Sequence, residues 1–190
     1  MTAKRRICAG CGRPETVCLC PAMTKLDSPT KVIIWQDPIE AKHPLSTAPL
    51  LHKSLPNSRL LVGEHFSFEQ VFGDLPDKDV AVVFPFEHDR QLCTGAGGNI
   101  RSLLLLDGTW RKVRKMILAN PWLMSIPYVA LQPASESCYE IRTSPRNDGL
   151  STIEAGVLAL NTLENTRTYD AILPVLKRMV ALQKGFGHKQ

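Results

Sequence analysis

The run Leu103-Leu104-Leu105-Leu106 passes directly into Asp107-Gly108-Thr109-Trp110 and then Arg111-Lys112-Val113-Arg114-Lys115. Four successive leucines bounded by turn residues read as a strand buried on both faces. Such a strand needs helices above and below it, which restricts the chain to a layered α/β architecture with a mostly parallel sheet. The run also sets an acid at the carboxyl end of that strand, where open α/β sheets bind their ligands. Acid, flat aromatic and basic helix then follow within nine residues.

The rest of the chain alternates in the same sense. Lys31–Trp35, Leu60–Val62 and Val80–Phe84 are further strand candidates, expected to be buried, and Ser125–Leu131 is a fifth. The loop from Gln36 to Pro44 is polar. Ser46 is placed to cap a helix running to about Leu55, with Pro49 tolerated in its first turn. Glu69–Phe72 makes at most a helical turn, and Thr94–Gly98 reads as a flexible loop. From Thr109 to about Ala119 the pattern is helical, with Arg111, Arg114 and Lys115 on one face and Val113, Met116 and Ile117 on another. Ser135–Leu150 is polar and irregular. Ser151-Thr152-Ile153-Glu154 matches a capping box opening a helix to about Leu163, and a last helix covers roughly Tyr169–Lys184. Strands alternating with helices predict helices on both faces of the sheet. A chain of 190 residues suffices for one compact domain and a small appendage. No stretch approaches the roughly 20 apolar residues of a membrane helix. The N-terminus lacks the apolar core of a secretory signal, so a cytoplasmic location is expected.

The N-terminal segment adds an independent constraint. Four of the six cysteines, Cys8, Cys11, Cys18 and Cys20, fall within thirteen residues as C-x2-C-x6-C-x-C, while Cys93 and Cys138 stand alone. In a cytosolic chain this clustering points to metal rather than disulfides. Four thiolates complete a tetrahedral zinc site with no open position, so the expected role is structural. The C-x-C half is tighter than the usual C-x2-C, and an iron–sulfur cluster or unligated thiols are the alternatives. Residues 1–24 hold too few apolar side chains to fold by burial alone; a metal would supply the missing stability. We therefore expect a zinc-binding knuckle over residues 1–24, a linker at Asp27-Ser28-Pro29, and the main domain over residues 25–190.

Of the net charge of +5, residues 1–25 hold +4, from Lys4, Arg5, Arg6, Arg13 and Lys25 against Glu15. A basic end fits an acidic partner such as nucleic acid, or mere solubility. On the first reading, Lys4, Arg5, Arg6 and Arg13 let the knuckle rest on phosphate.

Each candidate site residue also has an ordinary structural role open to it. Asp107 or Thr109 suits a helix N-cap, Trp110 a core aromatic, and residues 111–115 a solvated helix face. The polar cluster Ser144–Thr152 leads into a helix start whose amides and dipole attract a carboxylate or phosphate; alternatively it is only a well-capped helix. Pro85-Phe86-Glu87 ends another strand and could line the same crevice.

Together these residues resemble the DTW-domain family, tRNA-uridine aminocarboxypropyltransferases that use S-adenosylmethionine. Asp107-Gly108-Thr109-Trp110 matches the name motif, Leu150-Ser151-Thr152-Ile153-Glu154-Ala155 the second motif, and the four cysteines the tRNA-modifying branch. The likeness covers about residues 8–165. The loop after the first strand reads Asp37-Pro38 where the family usually has His-Pro, with His43-Pro44 later and Ser46-Thr47 as the small polar pair. The resemblance implies a SPOUT-like α/β fold with a trefoil-knotted C-terminal half. It implies transfer of the 3-amino-3-carboxypropyl group of S-adenosylmethionine to N3 of a tRNA uridine, releasing methylthioadenosine.

N3 is mostly protonated at neutral pH, so a positioned carboxylate that takes its proton is chemically sensible, and we assign this to Asp107. Thr47, Leu106, Trp110, Leu131, Leu150, Ser151 and Thr152 are the candidates for S-adenosylmethionine: Trp110 by stacking or cation–π contact, Leu131 and Leu150 through backbone groups that read adenine. Arg111, Lys112, Arg114, Lys115, Arg142 and Arg146 are the candidates for RNA phosphates. Glu154 is expected to cap rather than catalyse. The competing readings are a SPOUT-type RNA methyltransferase and a non-catalytic zinc RNA-binding module. The oligomeric state stays open, a monomer included.

Overall fold

A computed structural model describes residues 6–84, 99–131 and 149–185. Their strands are β1 (Lys31–Gln36), β2 (Ser58–Val62), β3 (Val80–Val83), β4 (Ser102–Asp107) and β5 (Tyr128–Val129). The α-helices are α1 (Ala48–Ser54), α2 (Phe68–Phe72), α3 (Trp110–Ala119), α4 (Thr152–Leu163) and α5 (Leu173–Gly185). The strands form one sheet in the order β2-β1-β4-β3-β5, and every pairing is parallel. The fold class expected from the leucine run is therefore observed.

The side-chain alternation of a strand explains the two layers. Val32, Ile34 and Leu105 point to one face and meet α1, α4 and α5. Ile33, Trp35 and Leu104 point to the other and meet Val71 and Phe72 of α2 and Val113, Met116 and Ile117 of α3. Leu103 packs with Ala81, Val129 and Ala159. β1 and β4, covered on both sides, carry the unbroken apolar runs that this position demands.

The connections diverge at these two central strands. From β1 the chain crosses through α1 to β2 on one side; from β4 it crosses through α3 to β5 on the other. α1 and α3 lie on opposite faces. Adjacent strands whose outgoing helices part in this way open a crevice at their carboxyl ends. Gln36 and Asp107, in register with each other, are the last residues of those strands.

Several sequence expectations are corrected. β2 is an edge strand with Arg59 and Val62 exposed, not a buried one. The expected strand over Ser125–Leu131 is reduced to Tyr128–Val129, because a 3-10 turn at Pro121–Met124 leads into it. The last helix begins as a 3-10 turn over Thr168–Ile172 and becomes α-helical at Leu173, with Pro174 in the first turn where its missing N–H costs nothing. Thr47, not Ser46, holds the N-cap position of α1; of the two candidates for the N-cap of α3, Thr109 holds it. The Thr94–Gly98 loop, the Pro85-Phe86-Glu87 loop and most of Ser135–Leu150 lie outside the described residues.

The cysteine segment is not a loose appendage. Cys11 and Leu19 are buried in the same cluster as Leu50, Leu51, Leu160, Val175 and Met179. Arg13 Nη2 reaches Met179 Sδ at 3.1 Å, and Lys53 Nζ donates to the Gly10 carbonyl at 2.9 Å.

Candidate active site

Asp107 closes β4 and is buried. Gln36 Nε2 donates to its Oδ2 at 2.6 Å and also to Ser46 Oγ at 2.7 Å. The Thr152 hydroxyl donates to its Oδ1. Three elements therefore converge on one carboxylate: β1 through Gln36, its own strand β4, and the first turn of α4 through Thr152. The backbone reinforces this, since Asp37 N–H donates to the Asp107 carbonyl at 2.9 Å.

The α4 terminus is held as its sequence implies. Its capping box forms, and the Glu154 carboxylate accepts from the Ser151 amide at 2.9 Å and hydroxyl at 2.6 Å. Ile153 N–H donates to Thr47 Oγ1 at 3.4 Å, tying the start of α4 to the start of α1. α4 can approach so closely because of Gly156. A Cβ there would lie 2.5 Å from Leu51 Cδ2 and 3.1 Å from Leu105 Cδ1.

Trp110 opens α3, half-buried, with its ring 5.8 Å from that of Phe84 just past β3. Its indole thus walls the end of the sheet rather than filling the core, where Trp35 stacks on Trp122. Leu106 is half-buried against the α3 face. Leu131 is half-buried beside Val129 and Ala159, and Leu150 is half-buried immediately before Ser151. The structure brings Asp107, Thr152, Ser151 and Thr47 into one hydrogen-bonded region and sets Trp110 three residues after Asp107.

The basic candidates divide. Arg111, Arg114 and Lys115 are exposed on the outer face of α3, with Lys115 in a solvent-facing pair to Glu64 at 3.4 Å. Lys112 turns inward instead. Its ammonium lies 3.0 Å from Glu40 Oε1 and 3.2 Å from Asp37 Oδ1, and all three groups are largely buried. Burial pushes Asp37 up and Lys112 down, but both are overridden. The Glu40 and Ile39 amides and the ammonium bring Asp37 below its ordinary value, and the two carboxylates bring Lys112 above its own. Arg142 and Arg146 lie outside the described residues.

Sequence reasoning missed Gln36, Asp37 and Glu40 as members of this region. The polar run from Gln36 predicts a loop, whereas the strand continues through that residue. Among the described residues at the strand ends, Asp37, Glu40 and Asp107 against Lys112 give a formal charge of −2 inside the crevice. Arg111, Arg114 and Lys115 present +3 outside it. Such a site favours a small cation within and a polyanion at the rim.

The four cysteines converge as their spacing anticipates. Their sulfurs all lie within 4.8 Å of one another, with Cys8–Cys20 at 3.6 Å, Cys8–Cys18 at 3.5 Å and Cys11–Cys18 at 3.8 Å. A tetrahedron of zinc–sulfur bonds of about 2.3 Å has edges of roughly 3.8 Å, so the donor set fits this metal. Gly10 is required by the same closeness, since a Cβ would stand 2.7 Å from Cys20 Sγ. Burial raises Cys11, but amides of Leu19 and Arg13 outweigh it and bring the thiol to about 6. Cys20, hydrogen-bonded by the Cys8 and Cys18 sulfurs, is pushed up to about 12. Four thiols this close oppose one another's ionisation, and a divalent cation removes that opposition.

The DTW domain model matches residues 5–184 of the chain. The chain belongs to the DTW domain family. This DTW domain is 30% identical to tRNA-uridine aminocarboxypropyltransferase 2 of Macaca fascicularis, over 97% of the chain and 66% of that protein. It is 31% identical to the Mus musculus protein of the same name, over 97% of the chain and 65% of the relative. Against tRNA-uridine aminocarboxypropyltransferase A of Arabidopsis thaliana the identity is 25%, over 96% and 83%. The DTW domain chain thus spans about two thirds of the length of the two mammalian relatives. No solved structure matches it.

Proposed function

We propose that this chain transfers the 3-amino-3-carboxypropyl group of S-adenosylmethionine to N3 of a tRNA uridine and releases methylthioadenosine. The observation that carries the reading is Asp107, buried at the switch point of the sheet and oriented by Gln36 and Thr152, in a family whose relatives bear the name of this activity. The crevice is negative inside and basic at its rim, which suits a sulfonium and ammonium donor within and RNA outside.

In this scheme the Asp107 carboxylate accepts the N3 proton. The N3 electron pair forms a bond to the γ-carbon, the carbon–sulfur bond breaks, and its electrons return to sulfur as a neutral thioether. A general base of this kind contributes ~10²–10⁴-fold, and alignment of N3 with the γ-carbon at least as much. Trp110 walls the donor or the extruded base. Thr47, Ser151 and Thr152, with backbone groups near Leu106, Leu131 and Leu150, surround the donor's polar ends. The base must be unpaired or flipped for N3 to be reached. Arg111, Arg114 and Lys115, joined by Arg142 and Arg146, hold phosphates. Lys112 serves the site differently, by tying the loop after β1 to α3. Cys8, Cys11, Cys18 and Cys20 hold a structural zinc, which keeps the knuckle folded. The SPOUT-like arrangement and the knotted C-terminal half rest on the family resemblance.

The test is the by-product. Purified protein is incubated with S-adenosylmethionine and tRNA, and the small molecules and nucleosides are resolved by mass spectrometry. Methylthioadenosine and a uridine heavier by one aminocarboxypropyl group are expected. S-adenosylhomocysteine would replace this reading with methyl transfer, and absence of donor binding would replace it with a binding module.

A further inference from the structure

The outer face of α5 takes no part in the crevice, yet it is strongly basic. Val175, Leu176, Met179 and Val180 are its buried side. Lys177, Arg178 and Lys184 fall on the opposite, exposed side, and α5 contains no acidic residue. The neighbouring knuckle packs against the same helix and is basic too. Cys11, Leu19 and α5 share one buried cluster, and Arg13 reaches Met179. Residues 6–25 carry Arg6, Arg13 and Lys25 against Glu15, a formal +2, beside +3 on α5. Packing therefore fixes two basic segments, separated by some 150 residues of chain, as one platform.

This platform lies on the sheet face of Val32, Ile34 and Leu105, whereas α3 with Arg111 and Arg114 lies on the other. The carboxylate crevice opens between them, at the ends of β1 and β4. A polyanion entering that crevice meets positive charge on both sides of the sheet. We propose that the α5–knuckle face is a second phosphate-binding surface, which holds the body of the tRNA while α3 holds the strand that enters the crevice. The proposal rests on the tRNA reading above and adds residues and a face that it does not use. The platform does no chemistry, so it contributes to tRNA affinity and not to turnover of bound tRNA.

The experiment uses the full chain with zinc and full-length tRNA. Lys177→Ala/Arg178→Ala is compared with Lys78→Ala/Arg101→Ala, which removes the same charge beside the amino ends of β3 and β4. Each phosphate contact contributes about fivefold in affinity near physiological salt. The α5 variant should therefore lose on the order of tenfold or more in tRNA affinity, with the slope of log K against log salt reduced by about 1.5. Its KM for tRNA should rise with kcat unchanged, and the control should match the wild type. Unchanged affinity and slope, or an equal loss in the control, overturns the platform while leaving the transferase reading intact. Binding to phosphatidylserine vesicles that depends on Lys177 and Arg178, with tRNA affinity unmoved, also overturns it in favour of a membrane surface. A wild type that neither binds tRNA nor releases methylthioadenosine overturns both.

Discussion

The loop after β1 and the turn after β4 lie side by side, and each has an aspartate at its root. Asp37 accepts from the amides of Ile39 and Glu40, two and three residues on, and from Lys112. Its carboxylate knits its own loop and ties it to α3. Asp107 accepts from side chains of distant elements, Gln36 on β1 and Thr152 on α4. The first arrangement shapes a loop; the second aims an acid into a crevice. Two acids one peptide hydrogen bond apart are thus given different work by what surrounds them.

The sharpest way to break this comparison is to neutralise each acid in turn. Asp107→Asn should lower transfer to tRNA by about 10²–10⁴-fold with the fold retained, as read by single-turnover rates and circular dichroism. Asp37→Asn should keep the rate within about tenfold of wild type. Equal losses in the two variants would show that both acids serve one structural purpose. Lys112→Met comes next. It leaves Asp37 and Glu40 facing each other without their cation, and should cost about 3 kcal/mol in urea unfolding. It should leave the salt dependence of tRNA binding unaltered, since Lys112 is held between those carboxylates.

Gly156→Ala should have a smaller effect. Overpacking against Leu51 costs about 2 kcal/mol, and the better helix propensity of Ala returns about 1, so a net loss of about 1 kcal/mol is expected in the same assay. Because α4 must shift, and Thr152 with it, activity should fall further than stability alone explains. The smallest effect is in pH dependence. Asp37 lies below its ordinary 3.8, so its contribution is present above that value and lost as the pH falls through the lower folded one. Lys112 lies above its ordinary 10.5, so its contribution is complete below that value and lost as the pH rises through the higher folded one. The stability difference between wild type and Lys112→Met should be flat from roughly pH 5 to 9 and shrink at both extremes.

Much of this was legible in the sequence because it is local. The leucine run, the Ser151–Glu154 capping box and the cysteine spacing each declare themselves within a few residues, and each stands as expected in the fold. The partners of Lys112 were not legible, since Glu40 lies 72 residues away and no periodicity links them. Charge type alone makes Lys112 look like Arg111 and Arg114, a phosphate ligand, whereas it is paired with two carboxylates. Gln36 was hidden for a related reason. A polar residue after five strand-forming ones reads as the start of a loop, and only the register with β4 shows it as the strand's last member. The edges of the sheet, β2 and β5, are weaker than their sequences suggest because a short apolar run looks the same at an edge as in the centre.

The contact between Arg13 and Met179 joins residues 166 positions apart. A chain emerging from the ribosome makes its cysteine knuckle long before α5, yet the partners that bury Cys11 and Leu19 include the α5 residues Val175 and Met179. Until that helix is synthesised, the apolar side of Cys11 and Leu19 lacks those partners and stays open to aggregation. A chain cut short before residue 173 should therefore expose the apolar side of its knuckle, whatever the state of its sheet.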